Sequence, residues 1–172
     1  MRKLISIVLT ILLFTSTACA NGSKETISSD KGELSDMKIS IQITSDSGSH
    51  TLTATLADNS SATAFYELLG KGPVTIKMTD YGNFEKVGPL GTSLPRNDSQ
   101  ITTTAGDIIL YQGNQITIYY DVNSWNFTRL GKVVSTLRQS SGTADSTTTI
   151  TQAELKKILG KGNVTAVFSV ME

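Results

Sequence analysis

The groups in this chain that could do chemistry are few. They are one cysteine (Cys19), one histidine (His50), the carboxylates Asp80, Glu85, Asp107 and Asp121, and the arginines Arg96 and Arg129. A carboxylate pair could serve glycoside hydrolysis or hold calcium, but either use needs a convergence that the spacing does not show, and no Asp-x-Asp-x-Asp-Gly loop occurs. Each of the four acids reads instead as the cap of a turn. One histidine excludes a two-histidine metal motif and leaves little for proton transfer near neutral pH; His50 opens a strand after a turn and reads as a surface residue. One cysteine excludes an internal disulfide framework and any multi-thiolate metal site. There is no Gly-x-Ser-x-Gly elbow, and Cys19 stands in the N-terminal segment outside the domain, so nucleophilic catalysis has no candidate. The expectation is no cofactor and no metal.

Binding is better represented. Arg129 lies in Trp125-Asn-Phe127-Thr-Arg129-Leu-Gly131. It could present its guanidinium to a carboxylate or peptide carbonyl, with Trp125 and Phe127 as an apolar wall. Alternatively it forms an internal salt bridge to Asp107 or Asp121. Tyr111, Tyr119, Tyr120 and Trp125 concentrate aromatic surface, which either faces a ligand or packs between paired strands. The connection Gly88 to Asn97, with Pro89, Pro95 and Arg96 at its tip, has the length of a binding loop. The candidate ligand-binding residues are therefore Arg96, Trp125, Phe127 and Arg129. Leu68-Leu-Gly-Lys-Gly-Pro-Val-Thr75 and Ile158-Leu-Gly-Lys-Gly-Asn-Val-Thr165 repeat one pattern. They suggest a phosphate cradle, but such a loop must lead from a strand into a helix, and these lead from a helix into a strand. They read as helix stops, with Gly70 and Gly160 left-handed.

The elements that must position these residues are mostly strands. Ile39, Ile41 and Ile43 alternate with polar residues, as do Leu52, Ala54 and Leu56 after the turn Asp46 to Ser49; together they predict a hairpin. Val74, Ile76 and Met78 predict a strand ending in a turn at Asp80-Tyr-Gly-Asn83. Ile108 to Tyr111 and Gln115 to Tyr120 predict a second hairpin buried on both faces. Arg129 to Val134 and Val164 to Val170 complete the set. Asp58 or Asn59 caps a helix bearing Phe65 and Leu69, and Thr151-Gln-Ala-Glu154 is a capping box for a second. Ser135 to Thr149 reads as a surface loop. Many short strands with two separated helices point to a mainly β fold, a closed or nearly closed barrel whose ends the helices plug.

In this order of elements, and in the segments Val74-Thr-Ile-Lys-Met-Thr-Asp80, Ala105-Gly-Asp-Ile-Ile-Leu-Tyr111 and Thr128-Arg-Leu-Gly-Lys132, residues 37–172 resemble the bacterial cyclophilin-like domain. The resemblance implies a closed eight-stranded barrel with two capping helices. It does not carry over isomerase activity. Cyclophilins hold a Phe-His-Arg strand whose arginine polarises the prolyl amide; the corresponding strand is Val74 to Asp80, which has neither Arg nor His. Rotation about the X–Pro bond has a barrier of about 20 kcal/mol, and that strand supplies no donor to lower it.

Arg2-Lys3, the eleven-residue apolar run Leu4 to Phe14 and the small residues to Ala20 have the layout of an export signal. At about 1.5 Å per residue the run is too short for a ~30 Å hydrocarbon core. Cys19 after Ala18 resembles the acylated cysteine of bacterial lipoproteins, although Ser16 stands where leucine is usual. The alternative is cleavage after Ala20, which discards the cysteine. Residues 1–20 are thus read as a signal peptide, 21–36 as a flexible tether and 37–172 as the domain. The 15 basic and 15 acidic residues balance, and removing Arg2 and Lys3 leaves 13 against 15, so no excess of basic charge points to nucleic acid. The expectation is an exported protein, held on the membrane by lipid or else secreted, that binds a peptide or small ligand without catalysis. The alternatives are a divergent prolyl isomerase, with Arg96 or Arg129 as the donor, and a docking domain with no pocket.

Overall fold

The computed structural model describes residues 37–137 and 146–171, all within the unit Lys31–Glu172. The expected signal peptide with Cys19, the tether and the middle of the Ser/Thr-rich stretch lie outside the described residues. In chain order the elements are β1 (Lys38–Ser45), β2 (Gly48–Leu56), α1 (Ser60–Gly70), β3 (Val74–Tyr81), β4 (Glu85–Pro89), β5 (Ser99–Thr102), β6 (Asp107–Tyr111), β7 (Gln115–Tyr119), β8 (Ser124–Leu137), β9 (Ser146–Thr149), α2 (Gln152–Leu159) and β10 (Val164–Val170).

The fold is mainly β, with antiparallel pairings throughout. The strand order is β2-β1-β10-β3-β4-β7-β6-β8, and β2 pairs again with β8, so eight strands form a ring. β5 and β9 pair with the two ends of β8. Register follows the hydrophobic alternation. Ile39 faces Ala54 on one side and Val170 on the other, and Ile41 faces Leu52 and Phe168. Ile39, Ile41 and Ile43 are fully buried, each contributing about 2 kcal/mol. A slip of one residue would turn Lys38, Ser40 and Gln42 inward instead. The expected two-sided burial of the β6–β7 hairpin holds: Ile108 and Leu110 join the main core, whereas Ile109 belongs to a separate cluster with Tyr119 and Phe127.

Asn59 caps α1: its Oδ1 accepts from the Ala62 N–H at 2.9 Å, and its Nδ2 donates to the Arg129 carbonyl of β8, also at 2.9 Å. Phe65 of α1 meets Phe168 of β10 edge-on at 5.7 Å. α2 has the expected capping box, with the Glu154 N–H donating to Thr151 Oγ1 at 3.2 Å and the Thr151 N–H donating to Glu154 Oε2 at 3.0 Å.

Several boundaries differ from expectation. α1 runs through Gly70, which is not left-handed, and the Lys71 N–H bonds the Leu68 carbonyl; positive φ first appears at Gly72. Gly160 has the positive φ expected of it, but its ψ of −162° lies outside the left-handed helical conformation. β3 continues through Tyr81, and the turn falls at Gly82 and Asn83, with φ of 59° and 58°. β8 is far longer than Arg129 to Val134. The stretch read as a surface loop contains its last residues and β9, paired from Val134↔Thr149 to Leu137↔Ser146. Serine-rich composition suggested a loop, yet threonine is β-branched and suits a pleated edge.

The second Gly-Lys-Gly segment is structural, as its context implied. The buried Lys86 amine donates to Asp80 Oδ2 at 2.8 Å and to the Gly162 and Gly160 carbonyls at 2.7 and 3.3 Å. The Lys161 amide is taken up by the Asp46 carboxylate. The loop thus turns carbonyls toward an internal cation, the reverse of a phosphate cradle.

Candidate ligand-binding site

On the outer face of the ring, β4, β7, β6 and the first part of β8 lie side by side, and strand alternation decides which side chains that face receives. Glu85 is directly opposite Tyr119, and Val87 is opposite Thr117. Tyr111 is opposite Gln115. These residues, with Tyr81 and Phe84 at the β3–β4 turn and Asn123, Trp125 and Phe127 around the start of β8, line a cavity of about 320 Å³. Its aromatic rings form a connected chain. Tyr81 meets Phe84 edge-on at 5.8 Å, Phe84 stacks parallel to Tyr119 at 6.0 Å, Tyr119 lies 5.6 Å from Phe127, and Phe127 meets Tyr111 at 6.3 Å. Trp125 and Tyr81 are 61% and 62% exposed, large apolar surfaces of the kind that mark interaction sites when they rim a cavity.

Adjacent Tyr119 and Tyr120 part company. Tyr119 points outward into the cavity lining, whereas Tyr120 hydrogen-bonds Asp80 Oδ2 through its hydroxyl at 2.7 Å. Burial pushes the Asp80 carboxyl up, but the bonds from Lys86 and Tyr120 outweigh it and leave the group below its ordinary value. Glu85 has no such support. It is only 7% exposed, burial drives its carboxyl above the ordinary range, and the facing Tyr119 hydroxyl offsets this in part. Burial, then the neighbouring Glu85, raises the Tyr119 phenol.

Trp125 and Phe127 therefore sit in the cavity wall, and Arg96 and Arg129 do not. Arg129 bonds Asp107 at 3.5 Å, the internal pairing that its sequence context offered as an alternative, and Lys132 joins the same buried carboxylate at 3.2 Å. Arg96 is ion-paired with Asp98. Asp98 accepts from Thr128 Oγ1 at 2.5 Å, and Thr128 accepts the Asn97 N–H at 2.9 Å. The connection carrying Arg96 is thus fastened to β8 and, through the Ser61 hydroxyl bonding the Pro95 carbonyl at 2.6 Å, to α1. Glu85 does not cap a turn, contrary to expectation. It lies within β4, a strand not anticipated because its first two side chains are both charged. Tyr81, Phe84, Gln115 and Asn123 were also not anticipated in the site; only the turn residues Gly82 and Asn83 hinted that β3 and β4 form a hairpin.

A protein-family model described as the cyclophilin-like family matches residues 45–166. This chain belongs to the cyclophilin-like family. The ring of eight strands agrees in number with the one that the resemblance implies. A comparison with curated proteins finds no match. In this cyclophilin-like domain β3 presents Thr75, Lys77, Thr79 and Tyr81 away from the core, and none of the residues lining the cavity is Arg or His.

Proposed function

We propose that this is an exported, lipid-anchored cyclophilin-like protein whose outer aromatic cavity binds a peptide or small ligand without catalysing a reaction on it. The observation that carries the reading is the cavity itself: about 320 Å³, walled by connected rings, with exposed Trp125 and Tyr81 among its lining residues. The absence of catalysis is argued from chemistry. Prolyl rotation is eased by a donor to the amide nitrogen, and the two arginines considered for that role are engaged by Asp98 and Asp107. We read the ring of strands as a closed barrel with the helices over its ends. Export and anchoring rest on Arg2-Lys3, the apolar run and Cys19.

Three measurements test this. In a chymotrypsin-coupled assay on a proline tetrapeptide, the purified protein should leave the isomerisation rate at its uncatalysed value. In a titration with proline-containing peptides, fluorescence of Trp125, the chain's single tryptophan, should change saturably. Clear turnover that Arg129→Ala abolishes would replace the reading with an isomerase. For the anchor, a detergent-phase partition should carry the wild type into the detergent and leave Cys19→Ala in the aqueous phase; wild type in the aqueous phase would mean cleavage after Ala20.

A further inference from the structure

Among the described residues, two buried side-chain oxygens have no hydrogen-bond partner, Glu85 Oε2 and Thr117 Oγ1. Both lie on the outer face, on neighbouring strands β4 and β7, with Glu85 opposite Tyr119 and Thr117 two residues before it. An acceptor withdrawn from water and left without a donor destabilises the fold. Nothing in the packing of β4 requires a carboxylate there, because the ladder would hold as well with a neutral side chain.

The surroundings say what would satisfy it. The lining residues include no Lys, Arg or His, and Glu85 is the sole acid among them. The rest is chiefly aromatic: Tyr81, Phe84, Tyr111, Tyr119, Trp125 and Phe127. An aromatic ring presents a negative face, and an organic cation gains from several such faces where water is partly excluded. Carboxylate and rings therefore favour the same sign of charge. A neutral apolar guest would use the rings but leave Oε2 unmet, and an anion would be repelled by the carboxylate and the ring faces. Gln115 and Asn123 at the margin offer amide groups to whatever carries the charge.

We infer that the cavity takes an organic ammonium group, primary or quaternary, with its positive end at Glu85 and its carbon framework against the aromatic wall. This rests on the binding reading above and adds the class of ligand. The group could be a lysine side chain of a peptide or a free small amine; the recognising chemistry is shared.

The test compares choline, its neutral shape match 3,3-dimethylbutan-1-ol, and N-acetyllysine amide. Each is titrated into the whole protein at fixed pH, reading Trp125 fluorescence and the indole N–H resonance. At least one cation should bind about tenfold more tightly than the alcohol, the ratio that one charge-assisted contact supports. Glu85→Gln, which keeps the side-chain shape, should abolish that preference. Tyr81→Ala, which removes part of the aromatic wall and keeps the Trp125 reporter, should weaken all three. Stronger binding of choline identifies a free amine as the source, and stronger binding of the lysine derivative a side chain. Equal binding of alcohol and cations, or a preference that survives in Glu85→Gln, overturns the inference and leaves the binding reading standing. Silence of Trp125 toward both cations also overturns it, and if proline peptides are silent too, the binding reading falls with it.

Discussion

Glu85 and Asp80 are five residues apart, yet their carboxyls are displaced in opposite directions. Asp80 receives Lys86 and Tyr120 directly, so those bonds overcome its burial. Glu85 is buried among rings, and a single tyrosine hydroxyl does not compensate. The consequence for stability has opposite sign at the two sites. A carboxyl raised in the folded state holds its proton more tightly there than in the unfolded chain, so its contribution is full below the ordinary value of 4.5 and is lost as pH rises through the folded value. Glu85→Gln should therefore unfold at a higher temperature than wild type at pH 7, and the difference should shrink as pH falls towards 4.5 and level off below it. Thermal melts across that range measure it; a variant less stable than wild type at pH 7 would contradict the assignment. Asp80, lowered in the fold, gives the reverse slope at more acid pH. At this scale the sequence was readable where residue type alone decides, as with Trp125 and Phe127 clustered in one segment. It was unreadable for Glu85, because the same carboxylate caps a turn or lines a cavity according to a strand boundary that two adjacent charges conceal.

Elements were legible in proportion to their apolar contrast. β1, β2, β3, β6, β7 and β10 alternate clearly or run continuously apolar, and each was placed within a few residues. β4, β5 and β9 are short and polar, and what makes them strands is the neighbour that they pair with: β7 and β3 for β4, and the two ends of β8 for the others. Helix starts were legible for a different reason, since a capping side chain acts within its own turn. Asn59 does more than cap, because its amide also bonds β8 at the Arg129 carbonyl. Asn59→Ala should cost about 1–2 kcal/mol, at the upper end for an N-cap, and should raise amide exchange in the first turn of α1. Denaturant unfolding with hydrogen exchange checks both, and a change below about 0.3 kcal/mol would show that the cap is dispensable.

At the scale of the whole molecule, ring closure depends on the pairing of β2 with β8, from Thr53↔Val134 to Leu56↔Gly131. A Cβ on Gly131 would come within 2.5 Å of the Thr55 carbonyl. Gly131→Ala should thus strain the seam and cost about 1–3 kcal/mol, the usual penalty of overpacking, read as a lower denaturation midpoint. The cavity lies on β4, β7, β6 and the first part of β8, and should keep ligand affinity in any variant molecules that stay folded.

That seam also orders the assembly of the chain. The β1–β2 and β6–β7 hairpins join residues close in sequence and can form on their own timescale of microseconds. Closing the seam joins residues as distant as Thr53 and Val134, so the entropy of closing a large loop falls on this step, as it does on the β1–β10 pairing of Ile39 with Val170. A nascent molecule halted before that step would present β2 and β8 as two open edges, the condition in which one copy can complete its circle with a strand from another.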